Sequence, residues 1–246
     1  MQKVLWFMSR RYGVLWAWGK HSVALVATVL TLTLGVSVAS AQDVPQELAQ
    51  GITVTALGDS LTQGYGLAPE AGLVPQLQAW LTARGHMVNL VNAGVSGDTT
   101  AGGLSRLDWT LAERPDAMIV ALGGNDLLRG LDPGLSRDNL AAILARLQAE
   151  GIPALLIGMP APRNYGPEYQ AEIAALYPEL AEAHDALLVE DMLAPLAEQI
   201  ADGDRPDAVF QGDNIHPNPA GVALIVAHIG PQVEALIARV AAQQGM

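Results

Sequence analysis

The sequence predicts an α/β protein: a three-layer α/β/α domain built on a five-stranded parallel sheet. Two patterns carry that expectation. Short β-prone runs alternate along the chain with amphipathic stretches of helical period, without internal repeats or low-complexity linkers. The runs are also almost wholly apolar, as strands are when both faces of a sheet are covered by helices. At 246 residues the chain has room for one such domain and a leading segment.

The leading segment spans residues 1–41. It carries Lys3, Arg10, Arg11 and Lys20 and no acid, then an apolar stretch from Ser22 to Ala39, then Ala39-Ser40-Ala41, a small-x-small cleavage pattern before Gln42. It is expected to be a cleaved export signal, placing the mature domain, residues 42–246, in the periplasm or outside the cell. An uncleaved anchor is the alternative, because about 18 apolar residues reach roughly 27 Å as a helix. Without that segment, 25 acidic residues stand against nine basic ones, all Arg, a formal charge of −16. So acidic a domain argues against nucleic acid as a partner and against stable association with anionic membranes. There are no cysteines, which removes disulfides and thiol chemistry. No His pair has ligand spacing, so no metal is expected. Nothing in the pattern sets an oligomeric state.

The expected strands are Ile52–Leu57, Met87–Asn92, Ala117–Leu122, Ala154–Gly158 and Leu187–Val189. Helices are expected near 73–84, 101–113, 137–150, 168–183 and 219–242, with Gly85 and Gly151 placed as left-handed caps. In open parallel sheets ligands bind beyond the carboxyl ends of the strands, so chemistry belongs in the loops that follow them. Ser60, in Gly58-Asp59-Ser60-Leu61, follows the first strand; Gly94 follows the second; Asn125, in Gly123-Gly124-Asn125-Asp126, follows the third. His216, in Asp213-Asn214-Ile215-His216-Pro217-Asn218, precedes the last helix.

These residue types suit acyl transfer. A serine hydroxyl attacks poorly until a base takes its proton, and imidazole titrates in the useful range. His216 is the expected base, and Asp213, three residues earlier, can hold its other ring nitrogen. The backbone amides of Ser60 and Gly94 and the side-chain amide of Asn125 are the expected oxyanion donors. Asp59, Asp98 and Asp126 read as capping or loop-bracing acids, and His86, His184 and His228 have no comparable partner pattern. Leu127, Leu128, Arg163 and Tyr165 are candidates to border the substrate, Arg163 toward an anionic head group. The Gly-x-Ser-x-Gly elbow of α/β-hydrolases is absent, since Thr62 stands at the second glycine position.

The four blocks resemble those of the SGNH (GDSL) hydrolase superfamily, matched here by Ser60, Gly94, Asn125 and His216. Gly58-to-Tyr65, Ser96-Gly97-Asp98-Thr99, Gly123-to-Gly130, Asn164-Tyr165-Gly166 and Asp213-to-Asn218 are similar to the bacterial acyl-CoA thioesterase I / arylesterase / lysophospholipase subfamily, over about residues 52–230. The resemblance implies a flavodoxin-like fold and a periplasmic, cofactor-free serine esterase acting on carboxylic esters and acyl thioesters, including aryl esters, acyl-CoA and lysophospholipids. Asn214 replaces a common glycine, which is tolerable because Asn accepts unusual backbone angles. Carbohydrate O-deacetylation within the same superfamily and a non-catalytic binding domain are the alternatives. A shortage of aromatic residues around the blocks counts against sugar stacking.

Overall fold

A computed structural model describes residues 51–161 and 163–245. The expected export segment over residues 1–41 lies outside the described residues. The sheet is formed by β1 (Ile52–Gly58), β2 (Val88–Gly94), β3 (Ala117–Ala121), β4 (Ala154–Ile157) and β5 (Leu187–Val189). Every pairing is parallel and the spatial order is β2-β1-β3-β4-β5. That is the five-stranded doubly wound order, with its reversal between β1 and β3.

Alternation along the strands builds two cores. Val54, Ala56, Ile119, Ala121, Leu155 and Ile157 face one side, against α2 (Leu73–Thr82), α8 (Ala194–Ala201) and α9 (Pro219–Gln244). Leu57, Met118, Val120, Leu122 and Leu156 face the other, against α6 (Pro133–Ala149) and α7 (Pro167–Ala183). Each fully buried Leu or Ile contributes on the order of 1.5–3 kcal/mol. By length and hydropathy α9 could cross a membrane, yet its Val222, Ile225, Ile229, Val233 and Leu236 are buried in the first core.

The structure departs from expectation at several elements. β2 is an edge strand with Asn89 and Asn92 exposed, so it is not wholly apolar. It also runs two residues past Asn92, because Asn92, Ala93 and Gly94 pair with Ala56, Leu57 and Gly58. The helix expected over 101–113 is two, α3 (Thr100–Ser105) and α4 (Leu107–Leu111), broken at Arg106. α6 starts four residues early, at Pro133, because Asp132 caps it by accepting the Gly134 N–H at 2.7 Å. Two short helices at the sheet edge, α1 (Ser60–Gln63) and α5 (Gly124–Leu128), and α8 have no counterpart in the expected set. Gly85 and Gly151 are left-handed at the ends of their helices, as expected.

Candidate active site

The turn that carries Ser60 is built from Gly58 onward. β1 ends at Gly58, and Asp59 caps the single-turn helix α1 by accepting the Leu61 N–H at 3.0 Å. Gly64, left-handed at φ 87°, closes that turn. Ser60 is thereby the first residue of α1, and its hydroxyl lies 2.9 Å from His216 Nε2. On the far side of the ring, Nδ1 is 2.6 Å from Asp213 Oδ2. Asp213 Oδ1 accepts the N–H groups of Ile215 and His216 at 2.9 and 3.0 Å. The His216 hydrogen bond, first among these contacts, holds the Asp213 carboxyl down at about 2. Asn214, at φ 56°, turns the chain so that the carboxylate curls back onto the imidazole. The loop is pinned by the Gln211 N–H donating to the His216 carbonyl at 2.8 Å. With Nδ1–H donated to Asp213, Nε2 is free to accept the Ser60 proton.

Asn125, in α5, donates from Nδ2 to the Asp98 carbonyl at 2.9 Å, and the same nitrogen lies 3.4 Å from Asp59 Oδ2. Ser60, Asn125 and Gly97 line one cleft of about 440 Å³, walled by Leu61, Leu127, Leu128, Met159, Phe210 and Ile215. Among the described residues, the N–H groups of Ser60 and Gly97 have no acceptor. The Tyr65 ring lies 4.7 Å from that of His216, centroid to centroid, so aromatic side chains do reach the site. The chemistry stands at the carboxyl edge of the sheet, as the fold demands.

Gly94 is a correction. As the last residue of β2 it does not line the cleft, and its N–H is donated to Asn92 Oδ1 at 2.9 Å. A Cβ there would stand 2.3 Å from the Gln63 nitrogen, so the glycine serves close backbone packing. Gly97, in the turn after the strand, reaches the cleft instead. Arg163 and Tyr165 are a second correction. They form a short turn beside the cleft without lining it. The Tyr165 hydroxyl donates to the Leu128 carbonyl at 3.3 Å, and its ring covers Gly130, so it buttresses the segment after Asn125. Arg163 is exposed. Leu127 and Leu128 do line the cleft, the first buried and the second 58% exposed.

Asp59 has a second character that sequence reasoning missed. It caps α1 as expected, but only 4% of it is exposed. Burial outweighs its contacts, chiefly the Leu61 N–H and the His216 charge, and pushes its carboxyl up to about 6.

Residues 56–224 match the family described as GDSL-like Lipase/Acylhydrolase. The chain is 36% identical to esterase TesA of Pseudomonas aeruginosa, over 75% of this chain and 89% of that protein. It is 33% identical to thioesterase 1/protease 1/lysophospholipase L1 of Escherichia coli, over 75% and 85% of the two chains. Among solved structures, the SGNH-hydrolase family esterase AlinE4 is 43% identical and superposes with a TM-score of 0.60, covering 76% of this chain and 96% of that one.

Proposed function

The chain belongs to the GDSL-like lipase/acylhydrolase family, and from that premise we propose that it is an exported serine esterase and thioesterase working through an acyl-enzyme on Ser60. Hydrolysis of ester bonds is the activity of the family it belongs to. The serine mechanism rests on one observation above all: a hydroxyl, an imidazole and a carboxylate joined by contacts of 2.9 and 2.6 Å at the mouth of an apolar cleft.

Ser60 Oγ attacks the acyl carbonyl while His216 Nε2 takes its proton, and Asp213 holds the imidazolium that forms. The negative charge on the carbonyl oxygen meets the N–H groups of Ser60 and Gly97 and the Asn125 amide. In other hydrolases, loss of one such donor costs about 2.7–4 kcal/mol of barrier. His216 then protonates the departing alcohol or thiol, and water repeats the cycle on the acyl-enzyme to free the acid.

The apolar walls support fatty acyl groups over acetylated sugars, and the name of the Escherichia coli relative supports acyl thioesters and lysophospholipids; aryl esters are expected from the same resemblance. Export is proposed from the Ala39-Ser40-Ala41 pattern, with cleavage before Gln42. The deciding experiment is Ser60→Ala assayed on p-nitrophenyl butyrate. Turnover is expected to fall at least 1,000-fold, as in other serine hydrolases stripped of the nucleophile, with the melting temperature retained. Undiminished turnover by the folded variant would overturn the assignment.

A further inference from the structure

Arg106 lies outside the cleft lining and outside every motif legible in the sequence, yet it joins the two halves of the site. α3 and α4 would be one helix but for the break at this residue, whose φ of −109° and ψ of 9° leave the helical region. At the break, Arg106 reaches back to the sheet edge. Nε donates to Asp98 Oδ2 at 2.6 Å and Nη2 donates to the Gly58 carbonyl at 2.9 Å. Gly58 ends β1, two residues before Ser60. Asp98 follows Gly97 in the turn, and its own carbonyl accepts the Asn125 amide. One guanidinium therefore ties the strand presenting Ser60 to the turn carrying Gly97 and orienting Asn125.

We propose that Arg106 is a positioning residue for ester hydrolysis, holding the Gly97–Asp98 turn and the Asn125 amide in register with Ser60. The proposal rests on Ser60 being the nucleophile. The ion pair is not a surface decoration, since its two side chains are 16% and 17% exposed. Nor is it cheap to bury: Arg106 Nη1 is buried and has no partner among the described residues. A brace selected for stability alone would do better with an apolar side chain in that space. What an apolar residue cannot do is donate in two directions from a rigid plane to acceptors on two different elements. Arg129 grips the same turn from the solvent side, its Nη2 donating to the Gly97 carbonyl at 2.9 Å. The oxyanion-side turn is thus held from within and from without, and only the inner grip reaches the nucleophile strand.

The experiment compares Arg106→Lys and Asp98→Asn with the wild type by thermal melting, by kcat and KM on p-nitrophenyl butyrate, and by the rate at which a fluorophosphonate labels Ser60. A lysine ammonium is a single point and cannot serve both acceptors, and asparagine keeps the Asp98 carbonyl while losing the charge. Both variants are expected to fold, with KM within about threefold of the wild type and kcat and labelling rate lowered together. The expected loss is roughly 10- to 1,000-fold, its upper end that of a lost oxyanion donor. Either variant, folded and with kcat within twofold of the wild type, overturns the positioning role while leaving Ser60 in place. Failure of the fluorophosphonate to label Ser60 in the wild type overturns the nucleophile assignment and this inference with it.

Discussion

Replacing Asp59 by Asn is expected to stabilise the protein at pH 8 and to do nothing of the kind at pH 4. In the unfolded chain this carboxyl titrates near 3.8; in the fold, buried behind Ser60, it titrates at about 6. Below 3.8 it is protonated in both states and costs nothing. Between the two values the unfolded chain ionises and the folded protein does not, so stability falls as pH rises; above 6 the loss is complete. At 1.36 kcal/mol for each pH unit between the two values, the full cost is about 3 kcal/mol. Asparagine removes that charge and keeps an oxygen for the Leu61 N–H, but its NH2 then faces the Asn125 Nδ2 across 3.4 Å, donor against donor, at a cost of about 1–2 kcal/mol at every pH. The net gain at pH 8 is about 1–2 kcal/mol. For a domain of this size that is roughly 2–8 °C in melting temperature. Taking the difference between variant and wild type at each pH cancels the other titrating groups. Melting curves from pH 4 to pH 8 should show the difference rising from negative to positive, with its midpoint between 4 and 6. A difference independent of pH, or a variant less stable at pH 8, would refute the reasoning.

Further expectations separate roles within the cleft. Leu127 is buried and Leu128 exposed, so Leu127→Ala should cost about 2–4 kcal/mol in urea titrations. Leu128→Ser should leave stability unchanged and raise KM for an octanoyl ester several-fold more than for a butyryl ester. Asn214 holds a left-handed angle, so Asn214→Val should cost about 1–2 kcal/mol and lower kcat by displacing His216, whereas Asn214→Gly should preserve both. Melting curves and steady-state kinetics on the same preparations check this pair.

The strands were legible because a covered parallel sheet requires continuous apolar runs, and the reading erred where that requirement lapses. β2 lies at the edge, half open to solvent, so Asn92 looked like the end of a strand that in fact carries on to Gly94. The same error moved the expected oxyanion glycine. In one dimension Gly94 and Gly97 give the same turn signal. They are told apart by strand register, which packs Gly94 on the Gln63 backbone and leaves Gly97 facing the cleft. The break at Arg106 was invisible for a related reason: residues 101–113 hold a helical period across it, and the interruption comes from acceptors on Asp98 and Gly58. Arg163 and Tyr165 follow the fourth strand, as cleft residues should, but only the packed structure reveals that Tyr165 turns to support Leu128 and Gly130 while Arg163 is exposed. The serine, histidine and aspartate needed no such register, because the aspartate and histidine are local to one turn and the serine is tied to a strand end.

Two aspartates compete for the role of acid partner in the proposed mechanism, and the one adjacent to Ser60 in sequence is not the one it uses. Asp59 is bonded to Ser60 along the chain, and Asp213 is far from it. Asp213 accepts three N–H groups, from Ile215, His216 and the imidazole, and is ionised down to about pH 2. Asp59 has one good donor, a second at 3.4 Å, and almost no solvent, and it is half protonated near pH 6. A carboxylate that must stabilise an imidazolium in every turnover has to be charged whenever the base accepts a proton. Only Asp213 meets that requirement across the working range. What Asp59 supplies to the nucleophile turn is its geometry, through the cap on α1, and the cost of its buried charge is what the Asp59→Asn melting series reads.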